Sequence, residues 1–300
     1  MLLLASIQEY DYISTHTQVG KGDVRVGAQQ NKTIIITGAS DGIGAEAARI
    51  LTEQGHKTVI IGRSAGKTRR VAESIGAPYY ITDFTSLEQV RELGERLLED
   101  FPRIDVLANN AGGMFGDREL TPDGHEKTFQ VNHLAHFLLT SILLDRLVSC
   151  HATVINTSSI AHRLFARFDI KDLELEDSYS EKRAYGNAKL ENILFTRELH
   201  RRFGDTGMRT AAFHPGNVAT NFAHDSTSLL KFIYHTPLRH LAGLISPQKG
   251  ADTLVWLATS QDWDSGEYYY KRKRAKVSAA ALDDAAAETL WEKSAQFVGE

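Results

Sequence analysis

Short apolar runs and longer amphipathic stretches take turns along most of this chain. Organised patterning begins at Lys32; residues 1–31 show no clear period and read as a loosely attached N-terminal extension. Thr33-Ile34-Ile35-Ile36-Thr37 is a β-branched run of the kind that fills a strand buried on both faces. After a glycine-rich turn, residues 45–51 read as helix. Further strands are expected at 58–61, 79–81, 104–108, 153–156 and 210–213, with a last short one near 268–270. Helices are expected over 66–75, 86–100, about 122–147, 180–204 and about 248–259. In the long stretch at 122–147, Phe129, Leu134, Phe137, Leu138 and Ile142 recur at helical spacing. Residues 279–281 and 285–287, all alanine, lean toward helix. The segment 221–246 is mixed. Its Phe222, Leu229, Leu230, Phe232, Ile233 and Tyr234 suit either an apolar lid over a pocket or packing on the helix that follows.

Strands alternating with helices imply right-handed βαβ units and a parallel sheet covered on both sides. The expected fold is therefore α/β: a doubly wound, Rossmann-type parallel sheet in three α/β/α layers. No linker, internal repeat or low-complexity segment divides residues 32–300, so they read as a single domain.

Composition narrows the function classes. With 300 residues, 42% of them apolar, the chain can bury a sizeable core, and a net charge of −4 gives no basic stripe for nucleic acid. The one dense basic run, Lys271-Arg272-Lys273-Arg274, reads first as a solvated loop and second as a contact with phosphate or with a partner subunit. A lone cysteine, Cys150, forms no internal disulfide and has no activating motif around it, so it reads as a small buried or half-buried residue. The apolar start Met1-Leu2-Leu3-Leu4-Ala5 is too brief for a signal peptide and lacks a basic lead. No run approaches the roughly 18–20 apolar residues that span a bilayer. A soluble, cytoplasmic protein is expected. His133, His136, His151 and His162 have no accompanying carboxylate motif, and no metal is expected.

The chemistry concentrates at the first strand-to-helix turn, Thr37-Gly38-Ala39-Ser40-Asp41-Gly42-Ile43-Gly44. Glycines there admit backbone angles closed to other residues and let a pyrophosphate reach the main chain. The following helix offers free N–H groups and a positive dipole end. The spacing is Gly-x-x-x-Gly-x-Gly. Three further motifs follow in order: Asn109-Asn110-Ala111-Gly112 after the fourth strand, Tyr185-Gly186-Asn187-Ala188-Lys189, and His214-Pro215-Gly216 after the sixth strand. Together they make the chain resemble the compact Tyr-x-x-x-Lys branch of the short-chain dehydrogenase/reductase family, over about residues 32–270. Ser159-Ile160-Ala161-His162 and the stretch from Lys189 to Leu199 resemble its retinol-dehydrogenase-like branch.

The resemblance implies an oxidoreductase that moves a hydride between nicotinamide and an alcohol/carbonyl pair. It implies cofactor contacts from Gly38, Ser40, Asp41, Gly42, Ile43, Gly44, Asp83, Asn110, Pro215 and Gly216. In dinucleotide folds an acid ending the second strand binds both ribose hydroxyls. Here Gly62 stands near that place and Arg63 follows, with Ser64 and Lys67 close by. A guanidinium pairs with a phosphate, which favours NADP over NAD. Asp41, where some NADP-preferring relatives carry a base, points the other way unless it caps the helix.

Tyr185 and Lys189 lie four apart on one helix face. An ordinary tyrosine has a pKa of about 10, and a nearby ammonium favours the phenolate by about one to three units. Tyr185 is then the general acid for carbonyl reduction, or the base for alcohol oxidation. The resemblance makes Ser159 the catalytic serine, with Ser158 as the competitor. It also makes Asn132 the fourth catalytic position, which orders a water that relays protons to the lysine. Without it, Asn132 reads as a satisfied helix-interior amide. The branch implies a small apolar aldehyde, ketone or alcohol as substrate. The family implies a homodimer or homotetramer through the long helices at about 122–147 and 180–204. The competing reading is a catalytically silent NADP-binding sensor or regulator. The intact Ser159, Tyr185 and Lys189 set argues against it, since a sensor has no physical need for all three.

Overall fold

The computed structural model describes residues 31–216 and 245–300. Seven strands run parallel: β1 (Thr33–Thr37), β2 (Lys57–Gly62), β3 (Tyr79–Ile81), β4 (Val106–Asn109), β5 (Thr153–Thr157), β6 (Arg209–Phe213) and β7 (Glu267–Tyr270). Their spatial order is 3-2-1-4-5-6-7, and β8 (Lys273–Arg274) adds an antiparallel edge. β1 pairs Ile36 with Ile60 on one side and with Ala108 on the other. The order reverses between β1 and β4, the crevice where ligands of such sheets bind.

The helices are α1 (Gly42–Glu53), α2 (Ala65–Ile75), α3 (Leu87–Asp100), α4 (Lys127–Phe129), α5 (Ala135–Ser149), α6 (Ala161–Leu164), α7 (Glu181–Phe203), α8 (Pro247–Thr259) and α9 (Asp284–Val298). A π-helical turn, Gln130–Leu134, joins α4 to α5. Successive strand residues point to opposite sheet faces, so Ile34 and Ile36 pack under α1 and α8 while Ile35 packs under α3 and α5. The result is the expected three-layer α/β/α fold.

Several boundaries differ from the sequence pattern. The fourth strand starts at Val106, two residues later, because the Asp105 carboxylate caps the strand end by accepting from the Thr33 amide at 2.8 Å. The long helix starts at Lys127 rather than about 122. Residues 121–125 form a tight turn closed by Thr121 N–H on the His125 carbonyl, and Glu126 caps the amides of Thr128 and Phe129 at 2.8 and 2.7 Å. β8 was not anticipated, and of α9 only the helical lean of residues 285–287 was. α9 lies along α7 and α5, with the Trp291 ring 5.0 Å from Phe137 and 5.8 Å from Phe195. It therefore covers part of the helical surface through which the resemblance implied pairing of copies. Residues 1–30 of the expected extension (1–31) and residues 221–244 of the expected lid (221–246) lie outside the described residues.

Candidate active site

The turn after β1 closes tightly on its neighbours. Gly38 has φ of +65°, and a Cβ there would lie 2.6 Å from Ala111 Cα. A Cβ on Gly44 would meet the Gly38 carbonyl at 2.6 Å and Asn110 Nδ2 at 2.7 Å. Only glycine lets the first turn of α1, the β1 turn and the end of β4 meet at this distance. Asp41 caps α1, its Oδ1 accepting from Gly42 N–H at 2.8 Å, and its Oδ2 holds Lys67 Nζ at 3.0 Å. The threonine before the turn is built in as well: Thr37 Oγ1 accepts the amides of Asn110 and Ala111 at 2.8 and 2.9 Å.

A cavity of about 650 Å³ opens along this crevice. At one end stand Ser40, Asp41, Arg63, Ser64, Lys67 and Asp83; in the middle Gly38, Gly42, Ile43, Gly44 and Asn110; at the other end Ser159, Tyr185, Lys189, Pro215 and Gly216. Of the catalytic and cofactor-contact residues expected from the sequence, all but Asn132 line it.

Helix α7 presents Tyr185 and Lys189 to the cavity from one face. Lys189 is 2% exposed, donates from Nζ to the Thr157 carbonyl at 3.2 Å, and lies 5.4 Å from the centre of the Tyr185 ring. Burial pushes its amine down to about 7. An amine there can hold or release a proton at neutral pH, as a proton-handling site requires. The two serines separate by their hydrogen bonds. Ser158 Oγ is buried and donates to the Lys189 carbonyl at 2.6 Å, tying β5 to α7. Ser159 Oγ accepts from the Ala161 amide at 3.2 Å, an arrangement that leaves its own proton for a guest. Asn132 sits in the π-turn. Its amide donates to the carbonyls of Gly113 and Thr128 at 3.0 and 2.9 Å and accepts from Gly113 N–H at 3.2 Å. It clamps the loop after β4, and a Cβ on Gly112 would lie 2.4 Å from its Oδ1 and 3.2 Å from Lys189 Nζ.

A family model for short chain dehydrogenases matches residues 32–230. The chain belongs to this family. Among relatives, a protein of Streptomyces sp. (strain C5) provisionally named daunorubicin C-13 ketoreductase DnrU is 42% identical over 91% of this chain and 95% of its own length. Retinol dehydrogenase 12 of Mus musculus is 38% identical over 89% of this chain and 86% of its own length. A crystal structure of an uncharacterized protein from Mycobacterium paratuberculosis has a TM-score of 0.72 and 32% identity, covering 89% of this chain and 93% of that one. As a short-chain dehydrogenase/reductase, the chain is an NAD(P)-dependent oxidoreductase working between CH–OH and C=O.

The residues of this short-chain dehydrogenase fit a dinucleotide. The glycine contacts above make a cradle that any side chain would fill, and the cavity is of cofactor size, within the roughly 300–1,000 Å³ usual for such sites. Sequence reasoning missed Thr37 as the acceptor behind Asn110, and Met114, Phe115 and Val131 as cavity walls. The first could have been found from the Thr-Gly start of the motif. The others lie on a loop and on the π-turn, where apolar spacing marks no wall. No helix among the described residues is long and apolar enough to cross a membrane.

Proposed function

We propose that the enzyme uses NADP(H) and interconverts an apolar aldehyde or ketone with its alcohol. The observation that carries this reading is the meeting of Ser159, Tyr185 and Lys189 at one end of the glycine-lined cavity. Bound cofactor would supply or accept the hydride at that end. Ser159 Oγ–H holds the substrate oxygen, and Tyr185 Oη delivers the proton that oxygen needs as negative charge develops on it. Lys189 stabilises the phenolate left behind and holds the ribose side of the cofactor.

The NADP preference rests on the end of β2. A Cβ at Gly62 would lie 2.7 Å from Thr68 Oγ1 and 2.8 Å from Ser40 Cβ, so the place of a ribose-binding acid is filled by packing. Arg63, Ser64, Ser40 and Lys67 then line that end of the cavity, a set suited to a 2′-phosphate. Asp41 belongs to this arrangement as the α1 cap and the counter-ion of Lys67. The carbonyl/alcohol substrate class is supported by the names of the relatives, a retinol dehydrogenase and a provisional daunorubicin C-13 ketoreductase, and its apolar character by Met114, Phe115 and Val131 in the walls.

The test is titration of the purified protein with NADPH and NADH, followed by a panel of apolar aldehydes and ketones read by NADPH oxidation. Tighter NADPH binding with turnover is the expected result. Tight binding without turnover across the panel would move the reading to a regulator, and binding of neither nucleotide would overturn it.

A further inference from the structure

We propose that His136 is a positioning residue, which locks the main-chain carbonyl of Asn132 to the strand ends that carry the glycine turn and Asn110. The proposal rests on the oxidoreductase reading for its effect on turnover, but not for its geometry. His136 stands one helical turn after Asn132 and is 1% exposed. Its Nδ1 lies 3.1 Å from the Asn132 carbonyl oxygen. That oxygen can only accept, so Nδ1 carries the ring proton. Nε2 is then an acceptor, and it faces Thr37 Oγ1 at 3.4 Å. The Thr37 hydroxyl already accepts two amides, so its single proton is divided between His136 Nε2 and the Ala108 carbonyl at 3.2 Å.

Packing alone does not call for histidine here. The ring meets Phe84 edge-on at 5.3 Å, a contact an aliphatic side chain would also fill. A buried polar ring is retained without loss only where its nitrogens are paired. Both nitrogens of His136 are turned toward the two halves of the site. Burial, reinforced by the Lys189 charge, pushes its pKa down to about 3. The ring is therefore neutral at working pH and keeps a fixed tautomer.

The backbone it holds is unusual. At the π-turn Ala135 N–H reaches the Gln130 carbonyl, so the α-helical ladder slips by one residue beside Asn132. Such turns often occur at functional sites. Asn132 commits its side-chain amide to Gly113 and Thr128, and a Cβ on the adjoining Gly112 would lie 3.2 Å from Lys189 Nζ, so the place of the Asn132 backbone fixes the loop beside that amine. His136 sets where the Asn132 carbonyl stands relative to β1 and β4.

Two kinds of measurement test this. Nitrogen shifts of the His136 imidazole in ¹⁵N-labelled wild type should report a neutral, Nδ1-protonated ring from pH 5 to pH 9. An Nε2-protonated ring, or titration within that range, would overturn the proposal. His136→Leu removes both bonds at similar volume, and His136→Asn restores a donor near Nδ1. His136→Leu should lower kcat about 10–100-fold, the scale expected for a small misplacement at a catalytic centre, with a smaller loss in NADPH affinity. His136→Asn should recover most of that loss and keep the wild-type pH profile, which His136→Leu shifts. Equal kcat in His136→Leu and wild type would overturn the role, and so would losses in both variants that simply follow their melting temperatures. If wild type turns over no carbonyl, the oxidoreductase reading fails. His136 is then judged on its tautomer and on amide exchange at Asn110 and Ala111, which should quicken in His136→Leu and not in His136→Asn; unchanged exchange would overturn it.

Discussion

The two sides of helix α7 are built to opposite ends. One side holds Tyr185 and Lys189 against the cavity, where a buried amine loses hydration and is pushed down to about 7. The other side lies under α9. There Phe195 and Phe203 meet Trp291 at 5.8 and 6.1 Å, Arg197 pairs with Asp284 at 2.7 Å, and Arg201 pairs with Glu288 at 3.2 Å. Burial there is mostly apolar, and the buried charge of Glu198 is held by Arg201 and Arg202 at 2.6 Å. The outer side anchors the helix so that the inner side can keep a polar, desolvated pair in place. Stability and chemistry should then respond to different substitutions, although both sets of residues lie on one helix.

The largest effect should come from the inner side. Tyr185→Phe removes one oxygen from a residue that is 7% exposed. It should lower kcat by about 10²–10⁴-fold, the range for a lost general acid or base. Thermal melting and NADPH affinity should hold. Retained turnover would remove Tyr185 from the chemistry and erase the division between the sides.

Trp291→Ala should do the reverse. Loss of a large aromatic against Phe137, Phe195 and Phe203 should cost about 3 kcal/mol in denaturant unfolding. At a temperature where the variant is folded, kcat should match wild type. A fall in kcat without loss of stability would mean that α9 acts on the active centre as well.

Arg63→Ala sharpens the comparison at the far end of the cavity, away from α7. Loss of a charge-assisted bond to a 2′-phosphate should weaken NADPH by about 1.5–3 kcal/mol, roughly 10–100-fold, and leave NADH nearly unchanged. Equal losses for both nucleotides would show that Arg63 does not read the phosphate.

Much of the inner side was legible in the sequence. The glycine turn and the Tyr185–Lys189 pair depend on spacing within one element, which a sequence records directly. The different bonding of Ser158 and Ser159 was less accessible, because it rests on a bond from Ser158 Oγ to the Lys189 carbonyl on another element. Asn132 was located, but its clamp on Gly113 joins segments 19 residues apart. The π-turn left no trace, because it is a slip in backbone bonding and the apolar positions around it keep helical spacing. α9 was half visible. Ala287, Leu290, Ser294 and Val298 are buried at helical intervals, but alanine and serine give a weak apolar signal, and their partner surface is tertiary.

The smallest expected effect lies between the two sides, at Glu191. This α7 residue is 1% exposed, and neither carboxyl oxygen has a hydrogen-bond partner among the described residues. Burial, with the Glu126 charge adding to it, raises its pKa well above the usual carboxylate range. The folded state therefore keeps the proton after the unfolded chain, titrating near pH 4.3, has released it. Stability linked to this group is complete below that pH and is lost as pH rises toward the folded pKa. Glu191→Gln keeps the shape and cannot ionise. Its melting temperature should match wild type below about pH 4 and exceed it by a margin that grows as pH rises toward the folded pKa. Groups that do not interact with Glu191 cancel in that difference, so its slope reports Glu191 together with its coupling to Glu126. Parallel curves would mean that the carboxylate is as readily charged in the fold as in water. The core of α7 would then tolerate a lone anion, and the contrast between a polar inner side and an apolar outer side would be one of degree.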